Sequence, residues 1–214
     1  MTLDFLVGAA SGAAPAIAAT AVITSGVIRR RAAIDPLTGI PGRGGLPALE
    51  RLVRRGVHRG ERTGVIALDM RGFKQVNDTY GHDAGDTVLR AVAQRLTNAA
   101  PVAGLTRLGG DEFAAVVTCP TGAGWCSLLT AIQVALADPV KVAPGVTVRP
   151  TATIGAAVAS AGDDFDGLLT AADTAMYTAR STDTHVHVTT GGLPAADRPG
   201  LRVRDAHTTT EVAA

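Results

Sequence analysis

Residues Arg107 to Phe113 read RLGGDEF, two glycines directly followed by two carboxylates, with apolar residues beyond. Adjacent like charges repel, so Asp111 and Glu112 imply a cation or a proton between them. A third carboxylate, Asp69, ends the apolar run GVIALDM. Strand alternation puts Val65, Ala67 and Asp69 on one face of that run and Ile66, Leu68 and Met70 on the other. Glycine tolerates positive φ, so Gly109-Gly110 suits a tight hairpin. If the hairpin neighbours the Asp69 strand, its tip delivers Asp111 and Glu112 beside Asp69. An acidic, solvated hairpin tip is the competing explanation of the pair.

The elements that must position these groups follow from hydrophobic period. Arg43 to Val57 has helical spacing through Leu46, Leu49, Leu52 and Val53. A second helix, about Ala84 to Asn98, carries Val88, Leu89, Val92 and Leu96. Strands flank Gly109-Gly110. A helix from about Ala123 to Ala137, strands around Val146 to Val158, a helix from about Asp164 to Ala179 and a short strand near HVHV complete the pattern. This alternation predicts an α+β fold with helices covering one central sheet.

The ends differ from this middle. No charge occurs from Phe5 to Ile28, and a helix of that length rises about 36 Å against a hydrocarbon core of about 30 Å. Arg29, Arg30 and Arg31 follow, which orients the bulk of the chain toward the cytoplasm as a single-pass protein of the cytoplasmic (inner) membrane. A removed signal peptide is the alternative, although the leading segment carries only Asp4 as a charged residue. The expected division is an anchor with basic flank at 1–31, a catalytic domain at 32–189 and a disordered Gly, Pro, Thr and Ala-rich tail at 190–214. Twenty basic against 19 acidic residues and 3% aromatics argue against a nucleic-acid partner. Cys119 and Cys126, the only cysteines, match neither a disulfide framework nor a zinc site and are expected to be reduced and structural.

Four segments, DPLTG at 35–39, LDMRGFKQVNDTYGHDAGDTVL at 68–89, RLGGDEF at 107–113 and AADTAMYTAR at 171–180, together resemble the signatures of the GGDEF domain, the diguanylate cyclases. The resemblance runs from about Asp35 to Val188 and implies a palm-like sheet of the ferredoxin/nucleotidyl-cyclase kind. It implies condensation of two GTP molecules into cyclic di-GMP with release of pyrophosphate, on Mg2+ or Mn2+, by a homodimer that brings one GTP on each protomer. Carried over residue by residue, Asp69, Asp111, Glu112 and the Met70 carbonyl would hold metal, and Glu112 would be the catalytic residue. Asn77 and Asp86 would read guanine, and Lys74 and Arg180 would face the triphosphate. Taken alone, Asn77 also fits a turn residue at a helix start, Asp86 a first-turn carboxylate, and Lys74 and Arg180 surface cations.

The departures are specific. Arg71 replaces the second acid of the family's DxD strand end, and by alternation it shares a face with Asp69. There it could repel a metal, bind a phosphate or turn outward. Thr184 stands where an arginine often supports the phosphates, Gly42 where asparagine is common, and Arg180 where lysine is usual. These departures leave open a degenerate domain that binds GTP or another nucleotide without turnover and signals through a partner. The family's product-inhibition arginine and aspartate correspond to Ala100 and Ala103, so feedback through that site is not expected. His185 and His187 lack a further ligand at metal spacing, and the acids of DDFD at 163–166 suit a helix start.

Overall fold

A computed structural model describes residues 34–192. A five-stranded sheet in the order β2-β3-β1-β6-β7 forms its centre. It is built from β1 (Thr63–Arg71), β2 (Val102–Gly109), β3 (Glu112–Thr118), β6 (Thr151–Val158) and β7 (Val186–Thr190). All neighbours are antiparallel except β6 and β7. A separate hairpin joins β4 (Val140–Ala143) to β5 (Val146–Val148). The helices are α1 (Leu46–His58), α2 (Phe73–Tyr80), α3 (His82–Asn98), α4 (Trp125–Leu136) and α5 (Phe165–Ser181).

Central β1 is buried over residues 63–70 because helices cover both faces of the sheet, which explains its nearly unbroken apolar run. Ile66, Leu68 and Met70 join the core with Val88, Leu89 and Leu96 of α3 and Leu129, Ile132 and Leu136 of α4. Val65 and Ala67 join the other core with Leu49 and Val53 of α1 and Leu168, Leu169 and Ala172 of α5. The two-face alternation expected of β1 is therefore the division between two cores. Packing on the α5 side is close: a β-carbon on Gly155 of β6 would lie 2.1 Å from both the Ala172 carbonyl oxygen and the Met176 nitrogen.

Two elements escape the periodic reading. Helix α2 is short and buries no residue completely, and it opens on Gly72 in the left-handed region (φ +68) without a side-chain cap. Strand β4 has four residues and only Val140 buried. After β7 the amides of Gly191 and Gly192 still donate to Val158 O (2.8 Å) and Asp163 Oδ1 (3.1 Å). Asp163 and Asp164 act on backbone: Asp163 Oδ2 accepts from Ser160 N (2.8 Å) and Asp164 Oδ1 caps α5 from Gly167 N (2.7 Å). Cys119 is buried as expected, whereas Cys126 is exposed at the start of α4.

The expected transmembrane helix at Phe5 to Ile28 and most of the expected tail lie outside the described residues. Among the described residues no helix is long and apolar enough to cross a membrane.

Candidate active site

The hairpin does meet β1. Asp69 is the register partner of Glu112 on one side and of Thr153 on the other, and directly opposed residues keep their β-carbons about 4.5–5.5 Å apart on a common face. The turn sits on Gly109 (φ +144) and Gly110 (φ +53), both at positive φ. The Asp111 carbonyl accepts from the Met70 amide at 3.3 Å, tying the tip to the end of β1. The Met70 side chain belongs to the opposite core, so only its backbone can serve this face.

Arg107, read from the sequence only as part of the signature, is the brace of this hairpin. Its Nε and one terminal nitrogen donate to the Gly110 carbonyl at 3.0 and 2.6 Å, and the other donates to both Asp35 oxygens at 2.9 and 3.0 Å. Desolvation works to raise the Asp35 pKa, but hydrogen bonds from the Thr38 hydroxyl and amide together with Arg107 outweigh it and hold the carboxyl below its ordinary value. The signal for this brace lay in DPLTG, whose aspartate and threonine form the loop that Arg107 grips.

Asp69 is buried, with 1% exposure, and the Arg180 guanidinium from the last turn of α5 donates to its carboxylate. Arg180 thus neutralises a carboxylate instead of standing apart from it. One turn farther on, Arg71 donates to Asp183 Oδ1 at 2.6 Å. The hydrogen bond and charge of Arg71 lower the Asp183 pKa. Two ion pairs therefore bridge the end of β1 to the end of α5. Thr153 Oγ1 and one terminal nitrogen of Arg71 are buried there without a hydrogen-bond partner.

The other expected residues occupy the flank formed by α2 and α3. Asn77 Oδ1 is buried and has no hydrogen-bond partner, and it lies so close to α3 that a β-carbon on Gly85 would approach it to 1.9 Å. An orphaned buried amide oxygen costs about 1–3 kcal/mol, so a donor brought by a ligand would relieve it. Asp86 starts the next turn of α3, partly exposed, with Arg90 3.8 Å away. Lys74 is exposed on α2. Beside α2, a cavity of about 420 Å³ is walled by Arg71, Phe73, Val76, Tyr80 and Arg149.

Among the described residues no three His, Cys, Asp or Glu side chains form a ready metal cage. The donors present are nevertheless of the kind magnesium takes, since that ion uses one or two carboxylates and completes its shell with substrate phosphate and water. Asp69 and Glu112, paired across strands, fit that role.

The description "Diguanylate cyclase, GGDEF domain" belongs to the family model that matches residues 32–185. The chain belongs to the GGDEF family. It is 38% identical over 151 residues to the diguanylate cyclase TpbB of Pseudomonas aeruginosa, covering 68% of this chain and 34% of TpbB. It is 36% identical over 157 residues to the response regulator PleD of Caulobacter vibrioides, covering 70% of this chain and 34% of PleD. The chain thus spans about a third of the length of these curated relatives. The solved structure of an N-terminally truncated TpbB from Pseudomonas aeruginosa comprising only the GGDEF domain superposes with a TM-score of 0.64 at 33% identity, covering 75% of this chain and 95% of that one. The GGDEF fold, a palm-like α+β sheet covered by helices, matches the expectation from the sequence.

Proposed function

We propose that this protein is a diguanylate cyclase, condensing two GTP molecules into cyclic di-GMP and pyrophosphate with magnesium or manganese on a homodimer. The observation that carries the reading is the register of Asp69 with Glu112 across β1 and β3, which gathers carboxylates from two distant segments at the sheet end where Arg180 also lies. The divalent ion, when bound, would polarise the α-phosphate and lower the pKa of the attacking 3′-hydroxyl. Asp69 and Asp111, with the Met70 carbonyl, would hold it. Glu112 would hold metal and assist removal of the hydroxyl proton. Asn77 and Asp86 offer an amide and a carboxylate to the guanine edge, whose N1–H and N2–H₂ suit a carboxylate acceptor. Lys74 and Arg180 would neutralise the triphosphate.

Each protomer carries one such site, so two must face each other for both hydroxyls to attack, and turnover should rise with protein concentration. The uncharged length of Phe5 to Ile28 and the three arginines after it support an anchor in the cytoplasmic membrane with the catalytic domain inside.

The test is incubation of the full chain with GTP and magnesium, with products resolved by mass. Cyclic di-GMP from the parent and none from Glu112→Gln supports the cyclase. Stoichiometric GTP binding without pyrophosphate overturns it in favour of a nucleotide-binding signalling domain, for which the Arg71 and Thr184 departures are the motive.

A further inference from the structure

Position 184, where the resemblance leads one to expect a phosphate-supporting arginine, holds a threonine whose hydroxyl is turned to the Ala179 carbonyl at 3.2 Å. The adjacent residue, Asp183, is in the left-handed region (φ +51), the only non-glycine among the described residues at positive φ. It receives the guanidinium of Arg71 from a strand 112 positions earlier. A cation therefore stands beside position 184 after all, supplied by another element.

We propose that Arg71 is a phosphate-binding residue of this site, taking the place of the arginine that position 184 lacks; the proposal rests on the nucleotide reading above. Three observations converge. Arg71 and Asp69 are two residues apart on one strand and share a face, with α-carbons about 6.6 Å apart, so a guanidinium from position 71 reaches a phosphate held at Asp69. One terminal nitrogen of Arg71 is buried without a hydrogen-bond partner while the other is engaged by Asp183, so a phosphate oxygen that reached it would satisfy a donor the protein leaves unpaired. Arg180 pairs with Asp69 at the same sheet end, so Arg71 adds a second guanidinium there, charge that a triphosphate requires and a nucleoside does not. Arginine suits this, since its planar fork offers two parallel N–H donors to phosphate. Asp183 then acts as a holding group, keeping Arg71 extended along the sheet end until phosphate arrives.

The test uses the full chain with magnesium and three probes: inorganic tripolyphosphate, GTP and guanosine. Arg71→Gln should weaken tripolyphosphate and GTP about tenfold or more and leave guanosine unchanged. Adding Thr184→Arg to Arg71→Gln should restore most of the lost affinity, which a merely structural ion pair with Asp183 would not allow. Unchanged tripolyphosphate binding in Arg71→Gln, equal loss of guanosine and GTP, or no tripolyphosphate binding by the parent chain would each overturn the proposal. The comparison is separate from turnover: a parent chain that binds GTP and tripolyphosphate but makes no cyclic product refutes the cyclase while leaving the role of Arg71 to be decided by the variant.

Discussion

Asp69 and Glu112 stand directly opposite each other on β1 and β3, although 42 residues of helix, loop and edge strand intervene between them. That pairing makes Glu112→Gln the most discriminating substitution. The change is isosteric at a partly exposed position, so the melting temperature should stay within about 2 °C. Cyclic product formation should fall by about a hundredfold or more, the scale of a lost acid–base or electrostatic group. A rate assay alongside thermal denaturation checks both, and near-parental turnover would remove Glu112 from the chemistry.

Gly85 lets Asn77 lie close against α3. Because a β-carbon there would meet the Asn77 amide oxygen at 1.9 Å and the Phe73 ring at 3.1 Å, Gly85→Ala must move α2 or rotate Asn77. Overpacking of this kind costs about 1–3 kcal/mol. GTP affinity should fall about tenfold while tripolyphosphate affinity is retained, and calorimetric titration of both ligands would show whether the damage is confined to base recognition.

At Gly155 the obstruction is backbone, which cannot turn aside as a side chain can. Gly155→Ala should therefore separate β6 from α5 and destabilise the domain by about 3 kcal/mol or more. Urea denaturation would report it, and a loss under 1 kcal/mol would mean that the two elements part without cost.

Acid should loosen the hairpin brace. The folded pKa of Asp35 lies below its ordinary value of 3.8, so its pairing with Thr38 and Arg107 stabilises the fold fully above the unfolded carboxylate range. That contribution is lost as pH falls through the lowered folded value. The parent should accordingly be more stable than Asp35→Asn at neutral pH, with the gap closing in acid below the unfolded pKa. A gap independent of pH across that range would show that the charge of Asp35 contributes nothing.

Feedback inhibition should be absent at the family's usual position. Ala100 lies in the turn before β2 and Ala103 on that edge strand, both exposed, and neither offers a charge or hydrogen-bonding side chain to a cyclic dinucleotide. Turnover should be insensitive to low micromolar cyclic di-GMP, and inhibition in that range would locate a product site elsewhere.

Much of the fold was legible because local spacing carries it. The alternation in β1, the long periodic faces of α3 and α5 and the paired glycines before Asp111 each state their geometry within a few residues. Helix α2 and strand β4 were not legible: α2 has only 8 residues and no side-chain cap, and β4 has four residues with a single one buried, so both are too short to repeat a period. Arg107 was visible as a letter in a signature, yet its grip on Asp35 crosses 72 positions.

The sequence alone determined the chemical inventory: three carboxylates, a hairpin able to present two of them, an amide and an acid suited to guanine, and the absence of charge at Ala100 and Ala103. Only the tertiary structure decided how the cations are used. Arg180 rests on Asp69, and Arg71 crosses to Asp183 beside the threonine at 184. Those choices depend on which strand ends and helix ends meet, and contacts between segments more than a hundred residues apart follow from packing of the two cores, not from any spacing along the chain.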